Sequence, residues 1–233
     1  MNYLYLLLNL GSLSIPLIFS FHPKFQFYKY WKSLFLAIVI TMCIFIPWDV
    51  IFTNNGFWGF NDTYFLGTKI LGLPIEEWLF FICIPYACVF THYALLYYFP
   101  NTKISIKNVK QICYFLITIL ILVTTFNYDK WYTLVNFTYA ILLIIIVLKI
   151  KIVLLQTYFI TFLIMLIPFF IVNGLLTGSF IENEVVWYNN QENLGIRLFT
   201  IPIEDSIYAF TLILTNLVLI DFFQTRLFRK ENI

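Results

Sequence analysis

Two stretches of this chain place adjacent carboxyl groups just after a proline, at Pro74-Ile75-Glu76-Glu77 and at Pro202-Ile203-Glu204-Asp205. Each stretch opens a long apolar segment, so its acids stand where the chain meets nonpolar surroundings. Two neighbouring carboxyls in a dry site cannot both ionise cheaply, so one of them can keep a proton and deliver it as a general acid. The doubled motif therefore indicates acid–base chemistry.

An ordinary structural explanation of the motif is also open, because proline followed by acids is a common helix start. The helix dipole favours a carboxylate in the first turn by about 0.3–1 kcal/mol. Against this explanation, Leu73 and Ile201, which precede the prolines, carry no side chain that could cap a helix. Acids at the edge of a nonpolar medium are also costly, which favours a functional role.

Helix geometry predicts how many acids of each pair can face the interior of a helix bundle. Successive helical residues point about 100° apart, so only one acid of each pair can face the interior of a bundle directly. The matched register favours Glu76 and Glu204 for that position, with Glu77 and Asp205 as second acids that adjust the first. All four are candidate catalytic residues.

Further polar residues lie near the same depth as the motif. Asp49 ends the second apolar segment and Asn173 ends the sixth, so both are candidates for binding a substrate beside the acids. Lys69 and Arg197 each precede a motif proline by five residues. They could pair with the acids or only mark a membrane boundary, and the sequence leaves both explanations open.

The composition argues against a soluble domain, because 61% of the residues are hydrophobic and 11% are charged, against about 25% charged in soluble domains. A helix of roughly 20 residues crosses about 30 Å of hydrocarbon, and the continuous apolar runs are too long for spanning strands. The first run lacks the features of a secretory signal, so we expect it to remain as a helix. The sequence predicts an all-α membrane protein with seven transmembrane helices, at Tyr3–Phe21, Ser33–Phe52, Glu76–Phe99, Gln111–Phe126, Trp131–Leu148, Ile152–Asn173 and Pro202–Phe223.

Basic residues predict the orientation of these spans. Eleven of them fall in one set of alternating connections: Lys24, Lys29, Lys32, Lys103, Lys107, Lys110, Lys149, Lys151, Arg226, Arg229 and Lys230. The other set holds only Lys69, Lys130 and Arg197. By the positive-inside rule, the protein is a multi-pass protein of the cell (inner) membrane with its N-terminus outside and its C-terminus in the cytoplasm. The basic residues do not form a stripe, so a nucleic-acid partner is not expected.

The two motif regions align as an internal repeat. Residues 66–77 and 194–205 share the glycine, the basic residue, the proline and both acids in register, and Trp58 matches Trp187 with one gap. Matching at this density predicts repeated structural units. We expect two parallel three-helix repeats, in residues 1–100 and 131–233, joined by a linker helix in residues 101–130. Both acidic motifs would then lie at the outer end of the bundle.

At these residues the chain resembles the integral-membrane lycopene cyclases of the archaeal, fungal and actinobacterial type. That family carries Pro-x-Glu-[Glu/Asp] in each of two homologous halves, which are separate subunits in some members and one fused chain in others. The stretches 173–178, 187–188 and 194–197 also look like the second half of that family. The resemblance covers nearly the whole chain and looks like the fused form.

The resemblance implies a lycopene β-cyclase of carotenoid biosynthesis. In that reaction a terminal double bond of linear lycopene is protonated, an internal alkene attacks the resulting carbocation, and loss of a proton leaves a β-ionone ring. The four motif acids could divide the roles of acid and base. Aromatic faces stabilise a cation by roughly 0.5–2 kcal/mol each, which makes Trp58, Trp187 and Tyr188 candidates for contacting the substrate. Arg197 is a further candidate there.

No cofactor is expected, because protonation and deprotonation cancel and the chain has no Gly-x-Gly-x-x-Gly motif for a flavin or nicotinamide. No metal is expected either, because Cys43, Cys83, Cys88 and Cys113 lack metal-type spacing. The expected partners are lycopene and membrane lipid, and a homo-oligomer is left open.

Other functions fit parts of the pattern. A retinal protein would need a lysine within the last span, and residues 202–223 contain none. A small transporter suits parallel repeats, although transporter sites tend to lie near the bilayer midplane. A related carotenoid enzyme that adds water to the terminal alkene would share the acid step, and the sequence leaves it as an alternative.

Overall fold

The structure is a computed structural model that describes residues 3–226. Within this range the chain forms seven α-helices, namely α1 Leu4–Phe19, α2 Trp31–Asn54, α3 Ile75–Tyr98, α4 Ile106–Phe126, α5 Trp131–Ile150, α6 Ile152–Leu176 and α7 Ile203–Arg226. Each contains most of one predicted apolar segment. Helix α4 begins five residues earlier than predicted, because the Ser105 hydroxyl caps it by accepting the backbone N–H of Asn108 at 3.2 Å. Arg229 and Lys230, which entered the charge count, lie outside the described residues.

Six of these helices are long and apolar enough to cross a membrane. Helix α1 has 16 residues, which at 1.5 Å per residue gives about 24 Å, somewhat less than the roughly 30 Å of a hydrocarbon core. The chain is a mostly helical, multi-pass membrane protein.

Helix α7 lies at the centre of the bundle. It packs against α2, α3 and α5, and it has more buried residues than any other described helix. Helix α1 packs mainly against α3, and α6 also packs against α3. Helix α4 is peripheral and contacts α5 and α6, with only three buried residues. The starts of α3 and α7, which carry the acids, therefore lie among the ends of the neighbouring helices.

Short strands form in the two long connections, which the all-α prediction did not include. Strands β1 (Trp58–Phe60) and β4 (Val186–Tyr188) come from different connections and pair antiparallel, with Gly59 opposite Trp187. A β-carbon at Gly59 would lie 2.4 Å from ring atom Cζ2 of Trp187, so only glycine leaves room for this ring. The pair β1–β4 ties the two connections together over the acids.

Two matching hairpins lead into α3 and α7. Strands β2 (Lys69–Ile70) and β3 (Leu73–Pro74) form the first hairpin, and β5 (Arg197–Leu198) and β6 (Ile201–Pro202) form the second. Their turns hold Leu71 and Phe199 at φ values of 55° and 58°. Left-handed backbone is costly for such residues. Because it occurs at the same place in both hairpins, we infer that the surrounding contacts fix the conformation of each turn.

Candidate active site

Glu76 and Glu204 hold the loops that precede their helices. Oε1 of Glu76 accepts the backbone N–H of Leu66 at 2.8 Å, and Oε1 of Glu204 accepts that of Leu194 at 2.7 Å. The Thr133 hydroxyl also donates to Oε1 of Glu204, at 2.7 Å. Both side chains are fully buried, and neither lines the central cavity. This differs from the expectation that these two acids face the interior site, because each carboxyl turns back toward loop N–H groups that need an acceptor.

The second acid of each motif faces the cavity instead. Glu77 and Asp205 both line it, and each accepts a hydrogen bond from a tyrosine of the first helix in its own half of the chain. The donor is the Tyr5 hydroxyl for Glu77 and the Tyr132 hydroxyl for Asp205, the latter at 2.6 Å from Oδ1. Both tyrosines are buried and line the cavity. The two motifs thus bring equivalent carboxyls to one chamber.

Asp49 is the third carboxyl of the chamber. It is 2% exposed, and its Oδ1 accepts the indole N–H of Trp58 at 2.7 Å. Its Oδ2 has no hydrogen-bond donor among the described residues, and the Glu77 carboxyl lies beside it at the same end of the chamber. Carboxylates only accept hydrogen bonds, so contact between two carboxyls needs a proton on one of them. Asp49 and Glu77 therefore form a pair suited to holding a single shared proton.

Asp205 has different surroundings. Its Oδ2 accepts the side-chain N–H of Asn173 at 2.9 Å and the Tyr188 hydroxyl at 3.0 Å, in addition to the Tyr132 bond to Oδ1. Three donors suit the ionised carboxylate. Burial raises the pKa of the Tyr188 phenol well above its usual range, and the negative charge of Asp205 raises it further. Tyr188 therefore keeps its proton and remains a donor to Asp205.

Aromatic rings surround these carboxyls. Trp58 lies edge-on to Tyr132 with ring centroids 5.0 Å apart, and Tyr132 stacks on Tyr188 at 6.0 Å. Tyr208 also lines the cavity, and its ring is held by Phe45 and Trp48, each at 5.2 Å. No side-chain hydrogen bond joins the Tyr208 hydroxyl to the described residues, and the charges of Asp49, Glu77 and Asp205 act on it.

Three of the charged and aromatic candidates lie outside the chamber. Trp187 covers Gly59 on the far side of the β1–β4 pair. Arg197 donates to the Thr200 carbonyl at 2.7 Å and to Oδ1 of Asn190 at 2.9 Å, with its guanidinium 5.8 Å from the Tyr188 ring. Lys69 forms an exposed ion pair with Asp62 at 3.1 Å.

The basic residues therefore do not pair with the motif acids. The hairpins direct Lys69 and Arg197 away from the starts of α3 and α7, toward the loop surface. Trp187 and Arg197 do not contact the cavity that was expected to bind substrate, whereas Asp49, Trp58, Asn173 and Tyr188 all line it. The guanidinium of Arg197 instead lies against the ring of Tyr188.

A repeated pair of polar residues on the first helix of each half also contacts the motif and was not among the candidates predicted from the sequence. Tyr5 and Asn9 on α1 correspond in spacing to Tyr132 and Asn136 on α5. The side chain of Asn9 donates to the Glu76 carbonyl at 2.8 Å, and that of Asn136 donates to the Glu204 carbonyl at 2.7 Å. The repeat of tyrosine and asparagine four residues apart, inside two apolar helices, was a signal that could have located them.

The cavity has a volume of about 490 Å³ and is mostly apolar away from the acids. Its polar end holds Asp49, Glu77 and Asp205, and the remaining lining comes mainly from α1, α3, α6 and α7. Within residues 3–226, no group of three or more His, Cys, Asp or Glu side chains is arranged to hold a metal ion. The arrangement can donate a proton to a nonpolar ligand and accept one from it.

Fold and site thus define a multi-pass membrane protein with a buried carboxyl cluster in an apolar cavity. The sequence model of the lycopene cyclase family matches residues 2–95 and 129–223, and the chain belongs to that family. The resemblance drawn from the doubled motif is confirmed, and membership gives the protein a lycopene cyclase role in carotenoid biosynthesis. No curated protein sequence and no solved structure gives a significant match.

Proposed function

We propose that the protein closes the linear ends of lycopene into β-ionone rings, forming γ-carotene and then β-carotene. The main observation that supports this proposal is that Asp49, Glu77 and Asp205 line one apolar cavity. Ring closure needs one group that gives a proton to an alkene and one that removes a proton from the cyclic cation. A dry cavity also keeps water from capturing the cation.

The differences between the two halves support a division of labour. Glu77 has a second carboxyl, Asp49, beside it, whereas Asp205 has the amide of Asn173 in the comparable place. The first arrangement holds a proton and the second stabilises a negative charge. We assign the Asp49–Glu77 pair as the proton donor and Asp205 as the proton acceptor.

The reaction then balances without a redox step. The shared proton of Asp49 and Glu77 adds to the terminal double bond, and the positive charge forms on the more substituted carbon. The internal alkene supplies the electron pair of the new carbon–carbon bond, which moves the positive charge into the ring. Asp205 removes a ring proton, and the freed electron pair becomes the ring double bond. One proton enters and one leaves, so the product is an isomer of the substrate.

The surroundings of the acids suit a transient cation. Trp58, Tyr132 and Tyr188 present aromatic rings beside the carboxyls, and a cation against such a ring gains roughly 0.5–2 kcal/mol. Once its proton is given, the Asp49–Glu77 pair carries an additional negative charge, which also stabilises the cation. Tyr208 lines the same cavity and interacts electrostatically with Asp49, Glu77 and Asp205, and we propose that its hydroxyl returns the proton between turnovers.

The topology is part of the same proposal. We propose seven membrane spans in two parallel three-helix repeats, with α4 as the linker, the N-terminus outside and the C-terminus in the cytoplasm. Matching hairpins, matching tyrosine–acid bonds and the distribution of basic residues support this arrangement. The acids then lie near the outer face of the cell (inner) membrane. Reporter fusions at the α3–α4 and α4–α5 connections test it, because the first should report cytoplasm and the second the outside.

Expression in a lycopene-accumulating bacterium tests the activity. We expect lycopene to be replaced by γ-carotene and β-carotene, which have the same mass as lycopene. A Glu77→Gln variant present in the membrane at the same level should leave lycopene unconverted. Products heavier by one water would instead indicate a hydratase. Unchanged lycopene with wild-type protein in the membrane would overturn the cyclase proposal.

A further inference from the structure

The cavity extends far beyond the acids along the helices. On α3 its lining runs from Glu77 to Thr91, about four helical turns, which corresponds to roughly 20 Å. On α1 it runs from Tyr5 to Pro16. The lining of this extension is mostly apolar, so the chamber is an elongated apolar channel with its carboxyls at one end.

One long side of this channel is open. Leu7 and Ile15 on α1 line it and are 62% and 65% exposed, and Gly11 between them is also exposed. On α6 the exposed lining residue is Pro168. The lining residues of α3 and α7 are buried or half-buried. The opening therefore runs between α1 and α6, with α3 as its floor.

The outer end of the channel is covered. Strands β1 and β4 pair across the mouth of the bundle, and Trp187 fills the space over Gly59. Trp58 and Tyr188 from the same strands bind the carboxyls of Asp49 and Asp205. The open side lies among exposed apolar residues, where a nonpolar ligand dissolved in lipid would meet it.

We propose that the channel opens sideways into the bilayer between α1 and α6, and that the linear carotenoid enters end first through this opening. The proposal rests on the proposed function for the identity of the ligand. One end of the carotenoid reaches the acids while the rest of its chain lies along α1 and α6. Gly11 and Ser12 keep the opening wide because their side chains are small.

The same geometry determines how two rings are made. Glu77 and Asp205 face a single chamber, so each binding event closes one ring. A channel of about 20 Å is shorter than the extended carotenoid, whose length is comparable with the roughly 30 Å hydrocarbon core. The far end therefore remains in lipid. The monocyclic product leaves through the opening, and its linear end enters in a separate event.

A bulky residue in the opening tests the route. Gly11→Trp places an indole at a position where a β-carbon meets no atom within 4 Å, so the new side chain starts in open space. The matched control is Ile18→Trp, on the same helix at a residue that is 69% exposed and lies outside the channel lining. Both variants are purified and reconstituted in vesicles containing lycopene, and thermal unfolding verifies their folding.

Two readouts separate this proposal from the proposed function. The first is the amount of lycopene that co-purifies with the protein, and the second is its rate of conversion. We expect Gly11→Trp to lower both at least tenfold, and Ile18→Trp to match the wild type. Equal binding by both variants would overturn the lateral route. Normal binding without any conversion by the wild type would overturn the cyclase activity and leave the route standing.

A chase experiment tests release between the two rings. Vesicles receive isotope-labelled lycopene and then an excess of unlabelled γ-carotene. Release of the monocyclic product predicts that labelled γ-carotene accumulates and that the new β-carotene is mostly unlabelled. Labelled β-carotene formed at an undiminished rate would show that both rings close in one binding event, which contradicts the single end-first chamber.

Discussion

Asp49 and Asn173 occupy comparable places in the two halves of the site, one beside the carboxyl of Glu77 and the other donating to Asp205 at 2.9 Å. An acid beside an acid favours a shared proton, whereas an amide donor beside an acid favours the carboxylate. In the proposed reaction, this one difference between otherwise similar halves makes one side of the chamber the proton donor and the other side the acceptor.

The acid that faces the cavity, rather than the acid that binds the loop, should determine activity. We expect Glu77→Gln and Asp205→Asn each to lower lycopene conversion by about 10²–10⁴, the usual range for loss of a general acid or base. Glu76→Gln and Glu204→Gln should stay within a few-fold of the wild type, because an amide oxygen can still accept the N–H of Leu66 or Leu194. Carotenoid analysis of matched membranes measures all four.

If Glu76→Gln and Glu204→Gln lowered conversion more than Glu77→Gln and Asp205→Asn, the catalytic residues would be Glu76 and Glu204. Protein level in the membrane is the necessary control, since a loop anchor acts through folding. A loss of conversion in Glu76→Gln that is proportional to a loss of folded protein supports the anchoring role.

The pairing of Asp49 with Glu77 predicts the effect of exchanging acid and amide. Asp49→Asn keeps an oxygen for the Trp58 indole N–H but removes the shared proton, so we expect conversion to fall at least a hundredfold. Asn173→Asp places an acid beside Asp205 and removes a donor, which should slow proton removal. Deuterium exchanged from D₂O into recovered lycopene measures the first step separately, because reversal of the protonation exchanges hydrogen at the terminal alkene. Normal rates in Asp49→Asn would contradict the shared-proton donor.

Tyr208 offers a test of proton return. No side-chain hydrogen bond joins its hydroxyl to the described residues, so Tyr208→Phe should leave thermal stability almost unchanged. We expect its steady-state conversion to fall roughly tenfold or more, because general acid–base groups contribute about 10²–10⁴. A single-turnover experiment should remain near the wild-type rate.

The control for that variant is Tyr158→Phe. The Tyr158 hydroxyl is buried and donates to the Phe210 carbonyl at 2.7 Å, and Tyr158 does not line the cavity. Its removal should cost about 0.5–1.5 kcal/mol of stability and leave turnover per folded protein unchanged. If both variants behave alike, the Tyr208 hydroxyl has no special role in proton return.

The cover over the chamber predicts a steric effect at Gly59. A methyl group there overlaps the Trp187 ring, so Gly59→Ala should separate β1 from β4 and destabilise the protein by about 1–3 kcal/mol. A double variant with Trp187→Ala should recover much of the loss. Thermal unfolding in detergent measures both. No change in Gly59→Ala would mean that the ring moves aside without cost.

The sequence by itself determined the helices and the chemistry available to them. Continuous apolar runs leave the backbone in lipid only the helical solution, so the seven helices appear within a few residues of their predicted bounds. The doubled motif sufficed to identify the family. The sequence could also predict that Asp49, Trp58, Asn173 and Tyr188 lie beside the cavity. Asp49 and Asn173 lie near the ends of α2 and α6, and Trp58 and Tyr188 lie in the connections that follow these helices.

Only the tertiary structure decided which acid of each motif meets the cavity. Adjacent helical residues point about 100° apart, and the choice between Glu76 and Glu77 depends on where unsatisfied groups lie around the helix. The hairpins bring the N–H groups of Leu66 and Leu194 back over the first acid, while Tyr5 and Tyr132 from other helices reach the second. These contacts join residues more than seventy positions apart in the case of each tyrosine–acid bond. Spacing along the chain does not predict these contacts, because they arise from the packing of α1 and α5 against α3 and α7.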